Sequence, residues 1–357
     1  MKIMSIFGTR PEIIRLSRIF EQIDKNFEHI MVNTSQNFTR ELNSIFFDDL
    51  KVRKPDFDLK INTDAYGPEV ADVIIKTEKL LKKENPDILL ILGDTNSGLS
   101  ALPAAHQGIK VAHLEAGMRS YDFRMPEEKN RVMIDHLSTL LLPYTPYSRE
   151  NLIRENVHPS KIYVVGNPII EVIDFYLPKI EKSNILSKLK LKKNDYFLVT
   201  AHRSENVDDK KSLRNIFTGL EKIYQKYNKK IIYPIHPRTV SKMKGIEIPS
   251  GIKIIEPLGF FDFSNLEKNA FCLITDSGTV PEESLYFRKP CVTIRESTER
   301  PETIEAGSNI LSGLNPEKIL QSVNVITSKK PDWEWNTALG DGKTSRKVVN
   351  ILQGKLY

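Results

Sequence analysis

The sequence is poor in the features that mark secreted, membrane-spanning and metal-binding proteins. Only two cysteines occur among 357 residues, Cys272 and Cys291, and each lies inside an apolar run. We expect two buried, reduced thiols, which favours a cytoplasmic protein. No apolar run approaches about twenty residues, so we expect no membrane partner. Arg10 interrupts the first apolar stretch too early for a secretory leader.

An excess of charge of one sign is also missing. The 52 basic and 46 acidic residues give a formal net charge of +6, which suits an anionic ligand. The lysines are dispersed through helix-like segments, and aromatic residues are not interleaved with them in a basic patch. We therefore expect no nucleic-acid partner. Cysteine and histidine spacings typical of zinc sites are absent too, so no metal site is predicted.

The sequence does contain a regular alternation of strand and helix patterns. A chain of 357 residues is long enough for two domains. Apolar strands alternate with amphipathic helices in both halves, which predicts parallel sheets covered by helices on both faces. The predicted fold is α/β, with two Rossmann-like doubly wound domains. We place the first at residues 1–168, joined by a carboxy-terminal helix at 343–357, and the second at 169–342.

Polar and small residues follow several of these strands. In open parallel sheets, ligands bind at the carboxyl ends of the strands, and side chains from several strands meet there. The sequence therefore predicts ligand-binding residues at these strand ends. The clusters are Gly8-Thr9-Arg10, Gly93-Asp94-Thr95, Glu115-Ala116-Gly117, His202-Arg203 and Asp276-Ser277-Gly278.

The segment TDSGTVPEES, residues 275–284, has two interpretations when taken alone. In the first it is a strand, turn and helix start, with Pro281 in the first turn and Glu282 and Glu283 favoured by the helix dipole. In the second, Ser277 and Gly278 present donors to a phosphate, and a following glutamate binds a ribose diol. The segment by itself leaves both interpretations open.

Nine motifs in one order resemble those of a single enzyme family. The chain closely resembles the non-hydrolysing UDP-N-acetylglucosamine 2-epimerases from about residue 3 to residue 307. Each motif is weak alone, but nine in the same order are specific. They are FGTRPEII, LGDTNS, HLEAGMRS, MPEEKNR, VVGNP, AHRSEN, EPLGFFDF, TDSGTVPEES and ESTERPETIEAG.

The resemblance implies a glycosyltransferase-B-like fold with a UDP-sugar in the cleft between two domains. It implies an isomerase, a homodimer and no cofactor. The implied reaction inverts C2 of a UDP-2-acetamido sugar, such as UDP-N-acetylglucosamine, for the synthesis of surface polysaccharide precursors. UDP leaves C1 as the C2 proton is removed, and both add back to a 2-acetamidoglucal intermediate with inversion at C2.

The resemblance also assigns residues to this reaction. It places the catalytic carboxylates at Asp94, Glu115 and Glu127, and a histidine near the diphosphate at His202. Neighbouring carboxylates raise one another's pKa, so one can act as an acid and another as a base. The residues implied in UDP-sugar binding are Arg10, Arg15, Arg203, Phe263, Ser277, Gly278, Glu283 and Arg300. Glu282 is interpreted as a helix-start residue favoured by the dipole.

The chain departs from the family pattern at the second strand. Bacterial relatives that make UDP-N-acetylmannosamine often carry TGQH there and bind UDP-N-acetylglucosamine in a second, allosteric pocket. Here Ser35 replaces glycine and Asn37 replaces histidine, while His236 is kept in the IHPRT segment. The resemblance therefore does not imply that pocket for this chain.

Two other activities stay open from the sequence. Segments such as QNF and IHPRT also resemble enzymes that epimerise UDP-2-acetamido-2,6-dideoxy-L-talose in the formation of UDP-N-acetyl-L-fucosamine. A glycosyltransferase of the same fold would bind a UDP-sugar through a similar Ser-Gly turn and ribose glutamate. It would need an acceptor groove, however, and not three carboxylates. The parent UDP-N-acetylglucosamine activity is favoured.

Overall fold

A computed structural model describes residues 1–35, 47–235, 237–243 and 245–354. The chain divides into two compact units. Unit 1 contains Met1–Phe175 and Leu339–Tyr357, and unit 2 contains Tyr176–Ala338. The sequence placed the corresponding boundaries at 168/169 and 342/343, a few residues from these positions. Among the described residues, no helix has the length and apolarity needed to cross a membrane.

Unit 1 is built on a parallel sheet of six strands in the order β3-β2-β1-β4-β5-β6. The strands are β1 (Lys2–Phe7), β2 (Glu28–Asn33), β3 (Phe57–Asp58), β4 (Ile88–Leu92), β5 (Lys110–Leu114) and β6 (Leu140–Leu142). Every residue of β4, ILLIL, is buried. This is the pattern of a parallel strand covered on both faces.

The helices of unit 1 follow the strands in turn. They are α1 (Arg10–Asn26), α2 (Tyr66–Glu84), α3 (Ala101–His106), α4 (Pro126–Leu137), α5 (Pro146–Arg154) and α6 (Pro168–Glu181), and the last of these continues into unit 2. A 3₁₀ turn at Asn96–Ser100 precedes α3. The last helix of the chain is α16 (Thr344–Gly354), which packs on α1 within unit 1.

Unit 2 repeats this plan with a second parallel sheet, in the order β12-β11-β10-β7-β8-β9. Its strands are β7 (Tyr196–Thr200), β8 (Lys230–Pro234), β9 (Ile252–Ile255), β10 (Cys272–Thr275), β11 (Cys291–Thr293) and β12 (Asn309–Leu311). The two cysteines lie on neighbouring strands, and both are free and buried.

The helices of unit 2 pack on both faces of its sheet. They are α7 (Ile185–Leu189), α8 (Ser204–Val207), α9 (Lys210–Tyr227), α10 (Pro237–Lys242), α11 (Phe260–Asn269), α12 (Val280–Tyr286), α13 (Pro301–Glu305), α14 (Pro316–Thr327) and α15 (Asn336–Leu339). One core cluster joins α9 and α14 to one face, and a second joins α7 and α11 to the other.

Local signals explain where the long helices begin and end. Thr9 and Glu12 form a capping box at the start of α1, and Pro11 occupies the first turn. The side chain of Asp209 caps α9 by accepting a hydrogen bond from the Ser212 N–H. The same helix ends at Asn228, whose left-handed backbone (φ 51°) is well tolerated by asparagine.

Each sheet has one point where the strand order reverses. In unit 1 it lies between β1 and β4, and in unit 2 between β7 and β10. Crossover connections leave these strands in opposite directions, so a crevice opens at their carboxyl ends, where ligands bind in such sheets. The crevices are bounded by residues 8–10 and 93–95 in unit 1, and by 201–203 and 276–278 in unit 2.

Candidate functional site

We call the place where the strand order of a sheet reverses its switch point. At the switch point of unit 1, one buried carboxylate forms hydrogen bonds to the turns that follow β1 and β4. Glu12 on α1 accepts hydrogen bonds from the backbone N–H groups of Gly8 (3.0 Å) and Thr9 (2.7 Å). Its other oxygen accepts one from the Thr95 hydroxyl at 3.0 Å. Burial raises the pKa of Glu12 to about 7, and the hydrogen bonds from Thr9, Gly8 and Thr95 oppose that rise. The turn carrying Arg10 is thereby fixed to the turn carrying Asp94.

Glu115 ends β5 beside this switch point and is paired with a cation. Arg15 Nη1 lies 2.7 Å from Glu115 Oε2, and both side chains are almost fully buried. The backbone of Glu115 has φ 74°, in the left-handed region that non-glycine residues rarely adopt. Such strain costs on the order of 1–3 kcal/mol and occurs often at functional sites. Arg15 lies 100 residues from Glu115 in the chain, so no local sequence pattern reveals this partner.

Asp94, at the end of the neighbouring strand β4, is also paired with an arginine. Arg131 on α4 contacts the Asp94 carboxylate with Nη2 and Glu128 Oε2 with Nη1, the latter at 2.5 Å. Asn130 adds a hydrogen bond from its amide to the Asp94 carbonyl at 3.0 Å. Arg131 lies within the MPEEKNR motif, but only the fold reveals its contact with Asp94, 37 residues away.

The two glutamates of MPEEKNR take different positions in the first turn of α4. Glu128 is fully buried and accepts hydrogen bonds from the N–H groups of Ser120 and Tyr121, which fixes the turn after β5. Glu127 is half-buried on the same turn. Asp94, Glu115 and Glu127 thus belong to three elements of unit 1 that meet at the carboxyl edge of its sheet.

At the switch point of unit 2, Asp276 organises the turn after β7. It is fully buried and accepts hydrogen bonds from the N–H groups of His202 (2.9 Å) and Arg203 (2.9 Å). The Asn206 amide donates a third at 3.1 Å. The His202 ring stays 46% exposed, with Nδ1 at 3.5 Å from Asp276, too long for a good hydrogen bond. The imidazole is therefore presented on a fixed backbone.

The Ser277-Gly278 turn lies next to His202 and Arg203. The Ser277 hydroxyl accepts a hydrogen bond from the Thr279 N–H at 3.2 Å. A Cβ at Gly278 would lie 2.5 Å from Glu299 Oε1, so the Glu299 carboxylate would have to move to admit a side chain there. Glu299 is itself held by Arg295 at 2.9 Å and lies 3.6 Å from Arg203. The resemblance gave no role to Asp276, Arg295 or Glu299.

Two glutamates follow on α12, and both are buried. Glu282 forms an ion pair with Arg300 Nε at 2.8 Å, so it is not simply a dipole-favoured helix-start residue as the sequence suggested. Glu283 lies beside Glu267 of α11. Burial, and then the charge of Glu283, raise the pKa of Glu267 well above its usual range. Among the described residues, neither oxygen of Glu267 has a hydrogen bond of regular geometry.

The remaining predicted residues lie near these two edges. Arg10 begins α1 and is half-buried, and burial lowers the pKa of its guanidinium. Phe263 is half-buried on α11 and packs against a core cluster of unit 2. Asn37 and His236 lie outside the described residues. Within the described ranges, no group of three or more His, Cys, Asp or Glu side chains is arranged to hold a metal ion.

Comparison with known proteins decides the family. The family model described as UDP-N-acetylglucosamine 2-epimerase matches residues 21–353. The chain is 42% identical to the UDP-N-acetylglucosamine 2-epimerase of Methanocaldococcus jannaschii over 363 residues, covering 99% of each chain. The chain belongs to the UDP-N-acetylglucosamine 2-epimerase family.

Solved structures support the same conclusion. The chain is similar to the crystal structure of the Methanocaldococcus jannaschii UDP-N-acetylglucosamine 2-epimerase in complex with UDP-N-acetylglucosamine and UDP. The TM-score is 0.94 at 42% identity, and the match covers 99% of this chain and 100% of the other. A glycosyltransferase from Rickettsia africae, 14% identical over 99% and 98% of the two chains with a TM-score of 0.58, shares the fold. The epimerase family thus has a two-domain, Rossmann-like, glycosyltransferase-B-like fold.

Proposed function

We propose that the chain inverts C2 of UDP-N-acetylglucosamine to give UDP-N-acetylmannosamine, with no net release of the sugar from UDP. The observation that carries this proposal is the pair Asp94 and Glu115, which end adjacent strands in a family of 2-epimerases. Each carboxylate lies against its own arginine, Arg131 or Arg15. Transfer of the sugar to an acceptor does not require several acidic groups at one sheet edge. Removal and return of a C2 proton, in contrast, needs both an acid and a base.

The proposed reaction is an elimination followed by an addition. The C2–H and C1–O bonds break, the electron pair of the C–H bond forms the C1=C2 double bond, and UDP departs with the C1–O electrons. UDP and a proton then add back, with the proton arriving on the opposite face of C2. We assign the proton transfers to Asp94, Glu115 and Glu127 together. The half-exposed imidazole of His202 would stabilise the charge that develops on the leaving diphosphate.

We assign UDP binding mainly to unit 2. Ser277 and Gly278 would hold the diphosphate, and Glu283 the ribose hydroxyls. Support comes from a neighbouring cation, because Arg203 Nη2 lies 3.6 Å from the position that a Cβ at Gly278 would occupy. We assign Phe263 to the uracil ring. We assign four arginines to the same UDP-sugar site, where they would contact phosphate or carboxylate groups or orient the substrate. They are Arg10, Arg15, Arg203 and Arg300.

Isosteric variants separate chemistry from binding. Asp94→Asn and Glu115→Gln should each lower turnover of UDP-N-acetylglucosamine by about 100-fold or more, because a positioned acid or base contributes at least that much. UDP affinity, measured by calorimetry, should stay within a few-fold of the parent chain. Asp64→Asn, an exposed carboxylate of unit 1, is the matched control. Loss of UDP binding together with turnover would refute the catalytic assignment.

A variant on α12 tests the binding assignment. Glu283→Ala should weaken UDP binding by about 10- to 100-fold, which is the usual loss when a hydrogen bond to a charged group is removed. The exposed Glu221→Ala on α9 serves as control. Unchanged UDP affinity would exclude Glu283 as the ribose contact.

We also propose a setting for the reaction. The free, buried thiols of Cys272 and Cys291 suit a reducing cytoplasm. The product would be an activated 2-acetamido sugar, the class of donor consumed in surface polysaccharide synthesis. A homodimer is proposed from the resemblance to the family, and light scattering of the purified chain would show twice the 40.9 kDa mass.

A further inference from the structure

A buried histidine lies next to the two turns that carry the candidate catalytic carboxylates of unit 1. His113 is fully buried on β5, two residues before Glu115. Its Nε2 lies 2.9 Å from the carbonyl oxygen of Gly93, the residue that precedes Asp94. Its Nδ1 lies 2.7 Å from the carboxylate of Asp135 on α4. One ring therefore joins the strand that carries Asp94 to the helix that follows Glu115.

Both ring nitrogens of His113 face acceptors. A carbonyl oxygen has no proton to donate, so Nε2 must carry a hydrogen to bond Gly93. Asp135 accepts in addition from the Gly117 N–H at 3.1 Å and pairs with Arg119 Nη1 at 2.8 Å. A carboxylate with these donors is ionised, and it can bond Nδ1 only if that nitrogen also carries a hydrogen. A ring with two N–H groups is an imidazolium.

The surrounding charges fit a buried cation. Burial tends to raise the pKa of Asp135, but His113 and Arg119 hold it below its usual range. Arg119 also makes two hydrogen bonds to Glu155, at 2.7 and 2.6 Å, and His136 lies 3.5 Å from the same carboxylate. Two positive charges, on His113 of β5 and on Arg119 in the turn that follows, are thus balanced by two negative charges. The negative charges belong to Asp135 on α4 and to Glu155 directly after α5. Paired buried charges of this kind are costly to break.

We propose that His113 is a positioning residue, held as an imidazolium, that fastens the turn carrying Asp94 to the turn carrying Glu115. Nε2 fixes the Gly93 carbonyl, and Nδ1 fixes Asp135, which in turn fixes the N–H of Gly117. Gly93 and Gly117 both have left-handed backbones, at φ 73° and 77°. These contacts hold the two turns in register. The role in catalysis rests on the proposed function of Asp94 and Glu115, whereas the protonation state does not.

Nitrogen NMR of the full-length chain labelled with ¹⁵N-histidine tests the protonation state directly. The chain has seven histidines, so the His113 signals can be identified by their loss in the His113→Gln variant. We expect both ring nitrogens of His113 to show chemical shifts and one-bond N–H couplings of protonated nitrogens at neutral pH. A signal from an unprotonated ring nitrogen would overturn the proposal.

A second variant tests the protonation state of His113 while leaving His113 itself in place. Asp135→Asn preserves the shape of the carboxylate but removes its charge, so the Nδ1 proton should be lost and His113 should become neutral in the same spectrum. If His113 stays doubly protonated in Asp135→Asn, Asp135 does not hold the imidazolium. This result does not depend on whether the chain epimerises any sugar.

Kinetics test the positioning role. His113→Gln should lower kcat for UDP-N-acetylglucosamine by about 100-fold, since small displacements of catalytic groups cost that much. KM and UDP affinity should change less than about threefold, because most of the proposed UDP contacts lie in unit 2. His106→Gln, an exposed histidine on α3, is the matched control. An unchanged kcat in folded His113→Gln would refute the role, whereas inactivity of the parent chain would instead refute the proposed function.

Discussion

Buried carboxylates in this protein are stabilised in three different ways. Glu115 pairs with Arg15, Glu12 accepts hydrogen bonds from backbone and hydroxyl donors, and Glu267 has a second carboxylate, Glu283, as its neighbour. The hydrogen bonds to Glu12 oppose the effect of burial, which nevertheless raises its pKa to about 7. The third arrangement favours a neutral acid. The raised pKa values of Glu12 and Glu267 therefore follow from burial together with their immediate contacts.

The third arrangement predicts a pH-dependent stability. The folded-state pKa of Glu267 lies above its ordinary value of 4.5. The contribution of Glu267 to the free energy of unfolding is therefore complete when the pH is below the ordinary pKa, and it is lost as the pH rises towards the raised pKa. Glu267→Gln is neutral throughout. The parent chain should lose about 1.4 kcal/mol per pH unit relative to the variant across this window.

Thermal unfolding at a series of pH values measures this effect. The Tm of Glu267→Gln should rise relative to the parent chain as the pH increases above about 5, where an ordinary glutamate is ionised in the unfolded chain. Glu221→Gln, on the exposed face of α9, should show no such trend. A constant difference in Tm between Glu267→Gln and the parent chain would mean that Glu267 is not held neutral.

Sequence analysis located several important residues but not their partners. The strand patterns and motifs put Asp94, Glu115 and His202 at strand ends, because a parallel strand ends where its apolar run ends. The partners Arg131, Arg15 and Asp276 lie 37, 100 and 74 residues away in the chain. Contacts over such distances depend on the strand order, which no local pattern contains.

At the scale of elements, the turn after β5 shows how closely the backbone approaches its neighbours. Gly117 has φ 77°, and an added Cβ would lie 2.1 Å from the backbone oxygen of Ser148 on α5. Gly108 has almost the same backbone, at φ 73°, but no atom lies within 4 Å of the position of its Cβ. The two glycines differ in crowding and not in backbone conformation.

This pair predicts unequal effects of the same substitution. Gly108→Ala should destabilise the protein by about 1 kcal/mol, the cost of a left-handed backbone with a side chain. Gly117→Ala should cost a further ~1–3 kcal/mol, because α5 must shift to make room. Urea denaturation at a single pH measures both variants. Equal losses would show that the turn is not packed against α5 as described.

Element boundaries were predicted well where the pattern is strong and less well where it is weak. The α1 region has a capping box and a clear amphipathic period, and the helix begins at Arg10 as the motif indicates. The segment SGLSALPAAHQG reads as one helix, but it forms a 3₁₀ turn at Asn96–Ser100 followed by α3. Within this turn a Cβ at Gly98 would lie 2.7 Å from the Ile134 side chain, so the packing against α4 favours glycine there.

At the scale of the whole molecule, the same α/β plan occurs twice with different chemistry at the sheet edges. Unit 1 places carboxylates and their arginines there, and unit 2 places a histidine, a Ser-Gly turn and a buried glutamate. The alternation of strands and helices was enough to predict the two sheets. The division of roles between the units came from the resemblance, since periodicity carries no information about chemistry.

The central claim is that the chain exchanges the C2 proton of a UDP-sugar and rejoins the sugar to UDP before either is released. The direct measurement is incubation with UDP-N-acetylglucosamine in deuterated water, followed by proton NMR, with UDP-2-acetamido-2,6-dideoxy-L-talose in a parallel sample. The account predicts deuterium at C2 of both UDP-N-acetylglucosamine and UDP-N-acetylmannosamine, with UDP attached. Free N-acetylmannosamine, or transfer of the sugar without C2 exchange, would contradict it.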